Sequence, residues 1–127
     1  MKLAHLTTTE DGGSRFDEIE IRIDAATTDP WGNIISRSDM FPVVGSMILE
    51  LPEGLMMDWH ASPRPSFVVV MSGTVESETT DGAKRGWSAG DMFFTDDHGS
   101  GGHRTRTVGG PARLLFLYPP GDLKLDG

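Results

Sequence analysis

Gly54-Leu55-Met56-Met57-Asp58-Trp59-His60-Ala61-Ser62-Pro63-Arg64-Pro65-Ser66-Phe67-Val68-Val69-Val70-Met71-Ser72-Gly73 is the stretch on which the reading of this chain turns. Glycines bracket it. Pro63-Arg64-Pro65 breaks it in the middle, since neither proline can donate to a strand ladder. Before the break, Leu55–Ser62 reads as a strand. After it, Phe67–Met71 is a short apolar, β-branched run of the kind that forms a central strand. Residues two apart in a strand share a face, so Asp58, His60 and Ser62 are expected to point one way, and Ser66, Val68 and Val70 to share a face of the next strand.

The same punctuation extends in both directions. Upstream, Pro52-Glu53-Gly54 is a turn and Val43–Leu51 has strand character. Phe16–Ile23 alternates Ile19, Ile21 and Ile23 with Glu18, Glu20 and Arg22, the period of a half-buried strand. Between them, Ala25–Phe41 has little periodicity and is expected to be a long irregular connection with room for a helical turn. Downstream, Thr74–Thr80 and Ala83–Trp87 flank Asp81-Gly82, a two-residue hairpin signal. Ala89-Gly90-Asp91 turns into Met92–Thr95, Asp96–Gly102 is a polar glycine-rich loop, and His103–Val108 and Ala112–Tyr118 flank Gly109-Gly110-Pro111. The tail, Pro119–Gly127, is expected to be frayed or bound to the surface. Many short strands with turns at regular spacing predict an all-β jelly roll or small barrel.

Composition narrows the class. A chain of 127 residues is expected to be a single domain, residues 1–127, with a core over about 43–118 and an N-terminal strand and irregular arm over 1–42. The formal net charge of -8 is spread along the chain, and such a surface repels phosphate backbones, which argues against nucleic-acid binding. No long apolar run predicts a membrane span, and the first residues lack the pattern of a signal peptide. With no cysteine there are no disulfides or thiolate metal sites, and the expected location is the cytoplasm. Met57, Trp59 and Trp87 are candidates to cover the outer face of a sheet, either packed under the N-terminal segment or forming a dimer interface.

The stretch Gly54–Gly73 resembles the first motif of the cupin superfamily, G-x5-H-x-H-x3-E-x6-G. Every gap matches, and both glycines and the first histidine are present. Ser62 stands at the second histidine position and Ser66 at the glutamate position. Gly90-Asp91 opens a segment similar to the second motif, G-x5-P-x-G-x2-H-x3-N, with Asp96 where proline is usual and a loop two residues longer. His103 then takes the histidine position and Thr107 the asparagine position, with His98 as rival. More narrowly, Asp58–Pro63 with Gly101–Arg106 looks like a group of small single-domain bacterial cupins of undefined function.

The resemblance implies a cupin-type jelly-roll β-barrel with the His60 face turned to its lumen. The implied pocket holds Ser62, Ser66, Val68, Val70, His103 and Thr105, with Thr107 and Phe93 or Phe94 nearby. His60 and Asp58 are the implied acid/base residues, a lumenal Asp58 favouring the charged imidazole. Cupins typically hold a divalent transition metal with three histidines and a glutamate. Here His60 and His103 are the candidate ligands, and a third would have to be Asp58, His98, or Glu76 or Glu78, so metal binding is expected to be weak or absent. Arg104 and Arg106, on the opposite face from His103, are expected to form surface or interface ion pairs. Three functions stay open: an isomerase-, lyase- or cyclase-type enzyme acting on a small organic molecule, with His60 as acid/base or metal ligand; a non-catalytic small-molecule binding or sensing module with a vestigial metal site; and an accessory subunit whose pocket is vestigial. A homodimer is expected, because strand edges of small barrels need cover.

Overall fold

The protein is described by a computed structural model over residues 1–121. Its elements are all strands: β1 (Lys2–Thr8), β2 (Ser14–Glu20), β3 (Ala25–Thr28), β4 (Ile34–Arg37), β5 (Gly45–Leu51), β6 (Met56–His60), β7 (Ser66–Ser72), β8 (Thr74–Thr79), β9 (Lys84–Ser88), β10 (Met92–Asp96), β11 (His103–Thr107) and β12 (Ala112–Tyr118). Among the described residues no helix is long and apolar enough to cross a membrane. The expected tail after Gly121 lies outside the described residues, and Pro119 before it is buried.

Six strands form one sheet in the order β2-β1-β10-β7-β12-β5, and four form a second in the order β6-β11-β8-β9. Among the described residues only β1 and β10 pair in parallel; the other ladders are antiparallel. The sheets face each other as a jelly roll, and no ladder joins them into a hydrogen-bonded barrel. Between them lies a core of Val68, Val70, Val75, Leu51, Leu114, Phe93 and Trp87, with Phe16, Leu49 and Phe116 against it. Trp87 stacks on Phe93 with centroids 3.9 Å apart, so it is an interior residue and not a cover for the outer face. Trp59 is exposed, with the Arg104 guanidinium over its ring, and Met57 points inward.

β7 is buried on both faces, which is why Phe67–Val70 is an unbroken apolar run. Its even residues face the core between the sheets. Phe67 faces outward into a second cluster with Leu3, Ile19 and Phe94, which Phe41 from the arm helps to cover at 5.0 Å from Phe67.

The structure departs from the sequence reading at the N-terminal end. The alternation of Ile19, Ile21 and Ile23 predicted a strand to residue 23, but β2 stops at Glu20 and Ile23 is 44% exposed. β2 is an edge strand whose one partner, β1, has run out: the last backbone bond joins Ile21 N–H to the Met1 carbonyl. The segment expected to be irregular contains a hairpin, β3–β4, around the Asp29 turn, where the carboxylate accepts from the Trp31 and Asn33 amides. No residue of β3 or β4 is buried.

Candidate functional site

Strands β6 and β11 run antiparallel with His60 directly opposite His103, so their side chains leave the same face of the small sheet. The ring centroids are 4.6 Å apart, at 52° to each other. Gly102 permits this approach. A Cβ there would sit 2.3 Å from the His60 carbonyl carbon and 2.4 Å from its oxygen, and the backbone has φ +82°, which side-chain-bearing residues seldom adopt.

Each imidazole is fixed through Nδ1. His60 Nδ1 lies 2.7 Å from the Asp58 carbonyl oxygen. A carbonyl can only accept, so this nitrogen carries the hydrogen. His103 Nδ1 lies 2.6 Å from Oδ2 of Asp97, which is fully buried. The other oxygen of Asp97 accepts from the Ser62 amide at 3.0 Å. Burial pushes the Asp97 carboxyl up, but the hydrogen bond and charge of His103 and the bonds from Ser62 outweigh it and hold the group below its ordinary range. An ionised Asp97 accepts only, so His103 Nδ1 carries its hydrogen too. In the neutral form both rings therefore present a bare Nε2.

That nitrogen on His103 meets open space. No buried side-chain nitrogen or oxygen among the described residues lacks a partner, and His103 Nε2 has none. The space is a cavity of about 120 Å³ at the end of the inter-sheet core, lined by both histidines. Ser62, Ser66, Val68 and Thr105 line it too, and so do Met57, Ser77, Phe93, Thr95, Leu114, Phe116 and Tyr118. Four of the lining hydroxyls are engaged with the protein. Ser66 Oγ donates to the Arg64 carbonyl at 3.1 Å, Thr95 Oγ1 donates to the Ser66 carbonyl at 3.4 Å, and Ser77 and Thr105 bond each other at 2.9 Å.

Several expected site residues lie elsewhere. Asp58 is exposed, and its carboxylate accepts from the next amide, Trp59 N–H. The cause is a register shift: His103 pairs with His60, but Thr105 pairs with Met57. This bulge gives β6 one extra residue, so Met57 and His60 both face the cavity and Asp58 is turned away. Val70 is buried deeper in the core and does not line the cavity. His98 is exposed, so the partner of His60 is His103. Thr107 is structural: its hydroxyl donates to the Pro52 carbonyl and accepts from the Leu55 amide. Asp97 is the residue that sequence reasoning missed. The available signal was a carboxylate six positions before His103 in a loop rich enough in glycine to fold back.

The residues do not fit a tightly held transition metal. Among the described residues no three histidine, cysteine, aspartate or glutamate side chains converge. Glu76 and Glu78 face away from the cavity and pair with Arg106 and Arg104, at 2.9 and 2.6 Å. The donor set stops at two imidazoles, where a catalytic site takes about three protein ligands.

No family model and no curated protein sequence matches the chain. Among solved structures it is similar to the DMSP lyase DddQ from Ruegeria pomeroyi DSS-3, with TM-score 0.53 and 23% identity over 95% of this chain. The chain spans 58% of that protein's length. It is also similar to the EutQ protein of Clostridium difficile (TM-score 0.49, 20% identity, 93% of this chain and 95% of that one). A third likeness is to an RmlC-like cupin from Shewanella frigidimarina NCIMB 400 (TM-score 0.45, 15% identity, 94% and 86%). The chain has the cupin fold: a jelly roll of facing sheets, with two glycine-bounded segments carrying His60 and His103 to its interior.

The depressed Asp97 has a consequence for stability. A carboxyl held below its unfolded value stabilises the fold above that value, and the contribution is lost as pH falls to the folded one. Asp97→Asn should therefore be less stable than the native protein at neutral pH by about 1–3 kcal/mol. The gap should narrow as pH drops below the ordinary value of 3.8. Urea unfolding of both proteins across the acid range measures it, and a gap that does not change with pH would contradict the assignment.

Proposed function

We propose that the cavity binds a small organic molecule and that the histidine pair moves a proton to or from it. The observation that carries this reading is the pair of imidazoles anchored through Nδ1 with Nε2 left bare at the cavity. A neutral imidazole oriented in this way is a general base, and once protonated it is a general acid. Asp97 holds His103 in one tautomer and stabilises the imidazolium that forms. His60 has a backbone carbonyl behind it and His103 a carboxylate, so the two rings are anchored by different partners. Proton removal at one ring and delivery from the other suits an isomerisation, an eliminative lyase step or a cyclisation. The DddQ likeness supplies the fold alone and does not select among these.

A second reading has its own support. Ser62 and Ser66 stand where the cupin motif has two metal ligands, and the hydroxyls of Ser66, Thr95, Ser77 and Thr105 are bonded within the protein. A pocket so satisfied suits a binding or sensing module with no chemistry. Screening small metabolites by ligand-observed NMR separates the two. Hits for the native protein should be lost in His60→Ala and in His103→Ala. For any compound that is turned over, His103→Ala should lower kcat by about a hundredfold or more. Binding that survives both substitutions would overturn the proposal, and binding without turnover would put the sensing module first.

The assembly we propose is a cytoplasmic homodimer. The β3–β4 hairpin has no buried residue, with Trp31 83% and Ile34 76% exposed, and Met40 beyond it is 95% exposed. A lone two-stranded hairpin is marginal in water. β5, an edge strand of the large sheet, leaves Met47 and Ile48 open beside Val43 and Val44. A second copy related by a two-fold axis covers both surfaces at once, arm against edge. Light scattering should give a dimer, and the double variant Ile34→Lys/Ile48→Lys should give a folded monomer. A native monomer independent of concentration would contradict this assembly.

A further inference from the structure

Among the described residues no lysine or arginine lines the cavity, so a ligand's charge is not met inside. A cation stands at its rim instead. Arg64 lies in the Pro63-Arg64-Pro65 link between β6 and β7, and three connections tie it to the cavity. Pro63 is a lining residue. The Arg64 carbonyl accepts from the lining hydroxyl of Ser66 at 3.1 Å. The guanidinium carbon lies 4.7 Å from the ring centroid of Tyr118, itself a lining residue. The prolines on either side restrict the backbone at this point, so the side chain starts from a fixed place.

Among the described residues no carboxylate lies within ion-pair distance of Arg64, whereas Arg15, Arg22, Arg104, Arg106 and Arg113 each have one. Arg37 and Arg85 also lack one, but neither adjoins the cavity: Arg37 donates to the Ser38 carbonyl and Arg85 lies over Phe16. Arg64 is exposed, so its guanidinium is open to an incoming anion. A guanidinium placed over a ring still offers N–H groups along its edge, which can take a carboxylate through two parallel bonds.

Resting on the reading that the cavity binds a small molecule, we infer that Arg64 is a specificity residue that holds a carboxylate at the ligand's outer end. A single guanidinium on an acidic protein suits a monoanionic carboxylate better than a dianionic phosphate. The inner end meets bare Nε2 acceptors, so it carries a hydrogen-bond donor such as a hydroxyl, which donates its single O–H to one ring and accepts from the other once that ring carries a proton. The cavity's volume of about 120 Å³ admits only a few heavy atoms at that end. The substrate class is a short hydroxycarboxylic acid whose acid group stays at the mouth.

Proton NMR titration tests this with hydroxyalkanoates from glycolate to ω-hydroxyhexanoate, each beside its primary amide. The reporters are the Hε1 resonances of His60 and His103 and the ring protons of Tyr118, the one tyrosine among 127 residues. At least one acid should shift all three, and its amide should bind about tenfold more weakly or worse. Arg64→Gln should bring acid and amide to equal affinity, and Arg64→Lys should restore part of the preference. Arg85→Gln, which changes net charge equally, should leave the preference intact. Equal binding of acid and amide by the native protein, or an acid preference that survives Arg64→Gln, overturns the role of Arg64 and leaves the cavity reading standing. If neither series moves His60 or His103, both are overturned.

Discussion

A buried carboxylate cannot stand alone, and the way Asp97 is satisfied organises the whole end of the jelly roll. Its two oxygens take one N–H from His103 on β11 and one from Ser62, just past β6. The loop between β10 and β11 is thereby tied to both strands that carry the imidazoles. Gly102 completes the arrangement by letting the β11 entry pass against the His60 backbone, where any Cβ would collide. Loss of the carboxylate would leave the Ser62 amide and the His103 Nδ1–H without acceptors, in a region where every other buried side-chain polar atom is satisfied.

That satisfaction shapes what the cavity can recognise. The hydroxyls of Ser66, Thr95, Ser77 and Thr105 are engaged with protein groups, so the lining behaves as a largely apolar wall despite its composition. On the proposed reading, recognition falls to the groups with no protein partner among the described residues: two imidazole nitrogens and the Tyr118 hydroxyl at the cavity, and a guanidinium at the rim. Ion pairs on the outer face, Arg104 with Glu78 and Arg106 with Glu76, keep the remaining charges of β8 and β11 away from the interior.

Much of the fold was legible in the sequence, and the exceptions share a cause. Strands bounded by proline or glycine turns, such as β7 and β12, lie where the apolar runs predicted them, because the apolar residues of each must reach the core and a slip of one residue would turn them away from it. His60 was identifiable because Gly54 and Gly73 fix its position in the motif. Asp58 was misplaced because alternation holds only in a regular strand, and nothing local announces a bulge that depends on how β11 pairs. Asp97 was hidden for the converse reason: a polar loop reads as solvated until its long-range partners are known. The β3–β4 hairpin was read as irregular because no face of it is buried, so it leaves no hydrophobic period to detect.

Everything proposed for the site rests on both imidazoles presenting a bare Nε2. Long-range proton–nitrogen NMR correlation on nitrogen-15-labelled protein, at a pH where the histidines are neutral, reads this directly. His60 and His103 should both appear as the Nδ1–H tautomer, and Asp97→Asn should disturb that state in His103 while leaving His60 as it is. An Nε2–H tautomer for His103 in the native protein would contradict the pairing with Asp97 and remove the basis for proton transfer at this site.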